Sequence, residues 1–347
     1  MSEIYTVPED RRYWVVRAES GLYFDHFTRY GIIALGHLDD LNLKENRDSP
    51  FRPNTESVEN DLKKLHESLS LKSRRTSTHL NQVKSFIAEM GVGDWVLTVG
   101  HSSIRFGRIT GSPRIDKSPL KIVYDEETGR EVTLEYNLRR KVVWGPVIRR
   151  NVLPFGLLKS LRANQTLFNI DHHWESVYHS LYPVFKRGDS LYVSARINTE
   201  ERVKNYHVVS FLGFLNEIEV IAKEFSTLQS GTPFDEIFNH YLENDYLTVT
   251  TKAEFHSPGE IWNEITTLVG SLDSWAAYAV CAYAMIFGNQ KLGFDGLLDL
   301  QTRQKLWEVV IERVRAKNLE GVVKNLELTA PKSNTEKIEN DDSDEKL

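Results

Sequence analysis

Cysteine is almost absent from this sequence of 347 residues, in which Cys281 stands alone. A single cysteine excludes an internal disulfide and any zinc site built from several thiolates. Cys281 lies among alanine, valine and tyrosine, which indicates a small residue in a buried core.

Long apolar runs are also missing. The most apolar stretch, residues 275–287, is shorter than the roughly 20 residues that cross a bilayer, and the charged Asp273 precedes it. The first residues show no basic segment followed by an apolar one, which is the pattern of a secretory leader. We therefore expect no membrane partner and a cytoplasmic location.

Basic residues are not in excess over the whole chain, whose net charge is −6. With 40% hydrophobic and 27% charged residues, the composition is that of a soluble globular protein, and the length allows two domains. Residues 1–175 nevertheless carry 26 basic and 23 acidic side chains, and residues 101–165 carry 13 and 6. Because a polyanion meets local charge, any phosphate backbone would bind this half of the chain.

The first half alternates short apolar segments with turn residues, which favours a compact barrel-like β-domain. Helices are predicted at residues 22–30, around Leu62, over residues 76–90 and at 157–163. Strands are predicted at residues 12–18, 32–36, 94–99, 104–110, 141–147 and 168–170, with a hairpin over 122–136.

The second half predicts a mostly helical α+β domain. Strands are expected at residues 191–197 and 246–255, and helices at 211–225 and from about Glu260, Trp275 and Gln301. The last 17 residues carry six acidic side chains and almost no apolar ones, which predicts a disordered acidic tail. The predicted domains are therefore residues 1–175, 176–330 and 331–347.

Five segments of the first half occur in a recognisable order. They are Arg-Tyr-Trp-Val-Val-Arg-Ala (12–18), Tyr-Gly-Ile-Ile-Ala-Leu-Gly (30–36), Asn-Gln-Val to Gly-Asp-Trp-Val (81–96), Phe-Gly-Arg-Ile-Thr-Gly (106–111) and Val-Val-Trp (142–144). Their order and spacing resemble the PUA-like superfamily, specifically the EVE-type and Mrr-associated N-terminal domains of modification-dependent restriction and phage-defence proteins. The resemblance covers residues 5–171, about half the chain, and implies a mixed β-barrel with flanking helices.

The same resemblance implies that an extruded base lies in an aromatic cage while basic loops hold the backbone. The residues matched to the base pocket are Trp14, Arg17, His37 and Trp95. The family usually has tryptophan where His37 follows Gly36, so the cage would fit another base or be lost. The residues expected to contact the nucleic-acid backbone are Arg105, Arg108, Arg139, Arg140, Lys141, Arg149 and Arg150.

Each of these residues also has a structural interpretation. A strand tryptophan commonly belongs to the core, and a basic edge can simply discourage strand pairing. His172, His173 and His179 have only Asp171 and Glu175 as nearby acidic neighbours, so we interpret them as capping or core residues. We predict neither a metal site nor a cofactor.

No catalytic motif is recognisable. Asp295 and Asp299 precede Gln301 and Lys305, but their spacing does not bring two carboxylates and a lysine to one metal ion. We therefore predict recognition of modified or flipped bases without catalysis, with DNA favoured over RNA. The second domain would serve assembly or signalling, through a homo-oligomer or a defence-system partner protein. Two alternatives stay open: a divergent nuclease in the second domain, or a structural protein whose barrel no longer binds.

Overall fold

The computed structural model describes residues 4–329, with gaps at 47–48, 126–128, 151–152, 164, 226, 229–232, 255–258, 267–277, 280 and 283–297. The predicted acidic tail lies outside the described residues. Of the helix predicted from Trp275, only Tyr278, Ala279, Cys281 and Ala282 are described, and they are helical and buried. The chain forms two compact units, residues 10–176 and residues 177–329 together with 4–9. The first residues thus group with the second half, although the sequence placed them in the first domain.

Both units mix helices and strands, which confirms the α+β class. The strands are β1 (Tyr5–Thr6), β2 (Tyr13–Val16), β3 (Ile32–Leu35), β4 (Trp95–Val99), β5 (Ser103–Ile109), β6 (Arg114–Ile115), β7 (Leu120–Asp125), β8 (Arg130–Leu134), β9 (Leu138–Arg149), β10 (Leu167–Asn169), β11 (Val184–Arg187), β12 (Ser190–Ile197), β13 (Val249–Glu254), β14 (Gly259–Thr266) and β15 (Leu328–Thr329).

The α-helices of the described chain are α1 (Phe24–Tyr30), α2 (Thr55–Ser68), α3 (Ser73–Lys84), α4 (Phe155–Ser160), α5 (Trp174–Leu181), α6 (Asn205–Lys223), α7 (Phe234–Glu243), α8 (Leu300–Ala316) and α9 (Glu320–Leu326). Short 3₁₀ turns lie at Glu19–Gly21 and Asp171–His173. Within the described ranges, none of the helices combines the length and apolar character needed to cross a membrane.

In residues 10–176 one curled sheet has the order β10-β2-β4-β5-β9-β3, and β6 pairs with β9. Strand β2 runs parallel to β4, while the other pairs are antiparallel. The long β9 pairs with β3 along residues 138–141 and with β5 along 142–149. Because β9 pairs first with β3 and then with β5 along its length, the sheet curls into a half-barrel.

The core of this unit explains why its helices lie where they do. Helix α3 buries Gln82 and Val83 and continues into a π-helical turn, Ser85–Glu89, that buries Phe86. Phe86 follows these two residues by four and three positions, the separations of neighbours on one helix face. Position 107 must be glycine, because a Cβ there would come within 2.6 Å of Trp144 and Val142. The helices and the sheet therefore share one apolar cluster.

The other unit has a sheet of order β1-β11-β12-β14-β13, and β15 pairs with β12. The helix predicted from Glu260 is wrong, since these residues form β14. Ile261, Asn263 and Ile265 are buried, and burial at every second residue is the period of a strand. The residue types agree with this outcome, since isoleucine and tryptophan favour a strand.

Candidate functional site

A cavity of about 610 Å³ opens in residues 10–176 where several chain segments end together. Arg17 follows β2, and His37 follows β3. Helices α2 and α3 bring in His66, Arg75 and His79. The cavity thus combines three imidazoles and two guanidinium groups from segments that are distant in the sequence.

The imidazoles of His37 and His79 form a parallel pair, with ring centroids 4.2 Å apart and planes 6° from parallel. His66 meets His79 edge-on at 5.1 Å. The Nε2–H of His37 donates to Oε1 of buried Gln82 at 2.5 Å, which sets the orientation of the ring. Two side chains from different elements therefore make one flat aromatic stack in the cavity wall.

Burial lowers the pKa of all three histidines, and the positive charge of Arg75 adds to the effect. For His79 the pKa falls to about 4. These rings are consequently neutral at pH 7 and offer uncharged π-faces.

This depressed pKa gives a stability prediction for His79→Gln. The unfolded histidine binds a proton near pH 6.5 but the folded one only near pH 4, so His79 opposes folding increasingly as the pH falls through that window. The melting temperature of the variant minus that of the unmodified protein should therefore increase as the pH is lowered from 7 to 4.5. The expected increase is at least about 2 °C, which corresponds to about 1 kcal/mol. Asp39, whose pKa burial raises to about 6, is present in both proteins and cancels. A difference that is independent of pH would contradict the assignment.

The rim of the cavity is conformationally strained. Glu19 and Ser20, which line it, have φ values of 45° and 54°, a region that residues other than glycine rarely adopt. Tyr136 donates its hydroxyl to the Glu19 carboxylate. Gly36 lies beneath Tyr136, where a Cβ would come within 2.6 Å of the ring. Such strain is typical of functional sites, since the surrounding structure must hold it in place.

Of the four residues matched to the base pocket, Arg17 and His37 line this cavity, but Trp14 and Trp95 do not. Both indoles are buried, at 1% and 0% exposure. Trp14 donates Nε1–H to Asp94 at 2.9 Å, beneath the guanidinium of Arg12. The prediction that these tryptophans form an aromatic cage is therefore wrong. Their strands direct both rings into the protein, where no base can reach them.

Three of the arginines assigned to backbone contacts are also buried: Arg108, Arg139 and Arg140. Arg139 donates to the carbonyls of Tyr136 and Ser118, both at 2.6 Å. Arg140 donates to the carbonyls of Gly111 and Phe86. The prediction that these three arginines contact the nucleic-acid backbone is therefore wrong, because a phosphate cannot approach a buried guanidinium group.

The other basic residues of that prediction lie nearer the surface. Arg105 is half-buried and donates to the carbonyl of Gly145 at 2.6 Å. Lys141 and Arg149 are exposed, and Arg150 is half-buried. The last two line a second cavity, of about 640 Å³, together with Ser102, Leu158 and Arg162. We call it the arginine cavity, and the first the histidine cavity.

His172, His173 and His179 lie outside the histidine cavity. His179 is fully buried, bonds Ser194 through Nδ1 at 2.7 Å and stacks on Trp262 at 4.4 Å. The rings of His172 and His173 lie 4.1 Å apart. Among the described residues, no group of three or more histidine, cysteine or acidic side chains is placed to hold a metal ion.

Of the two acidic side chains considered for a nuclease, one caps a helix and the other is not described. Asp299 accepts the backbone N–H of Thr302 at 2.9 Å and so caps α8, while Asp295 lies outside the described residues. Two buried glutamates of α6 are also paired: Glu217 with Arg313 at 2.9 Å, and Glu219 with Lys223 at 2.7 Å. These contacts give Asp299, Glu217 and Glu219 structural partners.

Sequence reasoning missed His66, Arg75, His79 and Tyr136. A signal for two of them was present. His66 falls on the apolar stripe of α2, between Leu62 and Leu69, and His79 stands one turn before Val83 of α3. A histidine on the apolar face of a helix is expected to pack against another element of the fold. The spacing of residues along the sequence does not show which residue of that element it contacts. Comparisons with protein-family models, curated proteins and solved structures found no match for this chain.

Proposed function

We propose that the histidine cavity binds a nucleobase turned out of its strand, and that the protein recognises modified or flipped bases without catalysis. Its volume of about 610 Å³ lies within the usual range of small-molecule sites. A base outside its helix is bound by stacking on flat side chains and by hydrogen bonds to its edges. The histidine cavity offers both kinds of contact.

The observation that carries this proposal is the parallel pair of His37 and His79 in a cavity that also contains Arg17 and Arg75. Histidine is one of the side chains on which unstacked bases are bound, and a neutral ring avoids repulsion between a cation and the arginines. Glu19 and Asp40 add acceptors to the lining. Carboxylates accept from exocyclic amino groups, and guanidinium groups donate to ring nitrogens and carbonyls.

The biological role that we propose rests on the resemblance to PUA-like domains. In it, base recognition serves as a sensor in bacterial phage defence or restriction, and residues 177–329 mediate assembly or signalling. The neutral-to-basic balance of residues 1–175 supports a nucleic-acid partner for the first half.

A binding panel tests the proposal directly. Short DNA and RNA strands would carry one central cytosine, 5-methylcytosine, 5-hydroxymethylcytosine, glucosylated hydroxymethylcytosine or N6-methyladenine, and affinity would be measured at low salt by fluorescence anisotropy. We expect one base to bind at least about tenfold more tightly than its unmodified form, which corresponds to about 1.4 kcal/mol. Equal affinity for every strand, or no binding at all, would refute base recognition.

A further inference from the structure

We infer that the arginine cavity binds a phosphodiester, and that the ligand is therefore a strand of at least two nucleotides rather than a free nucleoside or mononucleotide. The inference depends on the proposed function for the identity of the base. It adds a second site, made of Ser102, Arg149, Arg150 and Arg162, which would hold the backbone next to the extruded base.

The lining of the arginine cavity suits an anion. Three of its five lining residues are arginines, one is a serine, and none is acidic. Planar guanidinium groups donate in pairs to phosphate oxygens, which makes arginine the preferred side chain for phosphate recognition. Like charges gathered in one concavity repel each other, and a bound anion relieves that repulsion.

The backbone around this cavity is fixed by the sheet. Ser103 pairs with Arg149 at the ends of β5 and β9, and the N–H of Arg150 donates to the carbonyl of Ser102 at 2.9 Å. Arg149 and Arg150 therefore start from a rigid strand end, while Arg162 comes from the turn after α4. A site on such elements is more precisely positioned than one on a long loop.

Arg17 lies close to residues of both cavities. It lines the histidine cavity, and its guanidinium donates to the carbonyl of Leu161, the residue before Arg162. Its N–H donates to the carbonyl of Thr166 at 2.8 Å, and Thr166 lines the histidine cavity. Arg150 is close enough for its charge to add to burial in lowering the pKa of Arg17. A nucleotide whose base enters the histidine cavity would thus have its phosphate directed along Arg17 toward the arginine cavity.

The test compares two probes on the full-length protein. One is the nucleoside 5-hydroxymethyl-2′-deoxycytidine, and the other is a single strand of about eight nucleotides, a length typical of one binding module, with that base at its centre and thymine elsewhere. We expect the strand to bind and the nucleoside to bind much more weakly. Three phosphate contacts predict a slope of about −2 for log K against log salt concentration.

Matched variants locate the contacts. Arg149→Gln and Arg162→Gln remove exposed side chains and should each make the slope shallower by about 0.7, with unchanged circular dichroism. Arg130→Gln is the control, since Arg130 is exposed on β8 and lines neither cavity. His79→Ala should weaken binding of the strand without altering the slope, because His79 contacts the base.

The outcomes separate the two proposals. If the nucleoside binds as tightly as the strand and the Arg149 and Arg162 variants keep the full slope, the phosphodiester site is refuted while base recognition stands. If a third strand, with thymine in place of the modified base, binds as tightly as the modified strand and the two variants still lose slope, the phosphodiester site stands and recognition of 5-hydroxymethylcytosine is refuted. Binding of neither probe at low salt refutes the phosphodiester site, and base recognition is refuted as well if no strand of the binding panel binds.

Discussion

Replacing Arg140 with methionine is expected to lower the free energy of unfolding by about 3 kcal/mol or more, because several buried carbonyls lose their donor at once. The guanidinium of Arg140 donates to the carbonyls of Gly111, Phe86 and Met90. Phe86 and Met90 belong to the turn that ends α3, where helix carbonyls have no partner within the helix. Methionine keeps much of the volume but supplies no donor.

Lys141→Met is the matched control. Lys141 is the next residue of β9 but is exposed, so its substitution should change stability by less than about 0.5 kcal/mol. Urea unfolding followed by circular dichroism would measure both variants. The assignment of Arg140 as a structural residue would be overturned if Arg140→Met were as stable as Lys141→Met and instead reduced the salt dependence of nucleic-acid binding.

The second large effect concerns His79. His79→Ala removes one ring of the parallel pair and should weaken binding of the preferred strand by about 1–3 kcal/mol, the usual contribution of one aromatic stacking contact to a base. His79→Phe keeps a flat ring and should recover most of the loss. Fluorescence anisotropy at constant salt would measure the three affinities.

The control for these variants is His240→Ala. His240 is exposed on α7, so the loss of its ring should leave affinity and stability unchanged. Equal affinities for His79→Ala and His240→Ala would show that the histidine pair is not a stacking platform. Alanine is smaller than histidine and phenylalanine is larger, so both substitutions change the shape of the cavity, but only phenylalanine keeps a flat ring. Recovery of affinity with phenylalanine would therefore show that stacking, and not the shape of the cavity, is responsible.

Arg140 also connects stability to the proposed site. It holds the end of α3 against β9, and α3 carries Arg75 and His79 into the histidine cavity. The sequence predicts that Arg140 contacts the nucleic-acid backbone, whereas in the structure any effect of Arg140 on binding would be indirect. A loss of affinity in Arg140→Met must therefore be compared with the loss of folded protein.

Local sequence pattern was sufficient for much of the fold. Short apolar segments separated by turn residues predicted the strands β2, β3, β4, β5 and β12. Apolar residues at 3.6-residue spacing predicted the helices α3 and α6. Strands β2, β3 and β4 are buried at every position, and short runs of apolar and β-branched residues are typical of such strands. The helix predicted from Glu260 was wrong because the pairing of these residues with β12, a distant segment, decides that they form a strand.

Only the tertiary structure decided which polar and aromatic residues are available to a ligand. By itself the sequence determined the α+β class, the basic first half and two residues of the cavity, Arg17 and His37. It could not show that Trp14, Trp95, Arg139 and Arg140 are buried, because their burial depends on carbonyls, carboxylates and helices contributed by distant segments. For the same reason the meeting of His37 with His79 is a property of the folded chain: the two rings are 42 positions apart in sequence and 4.2 Å apart in space.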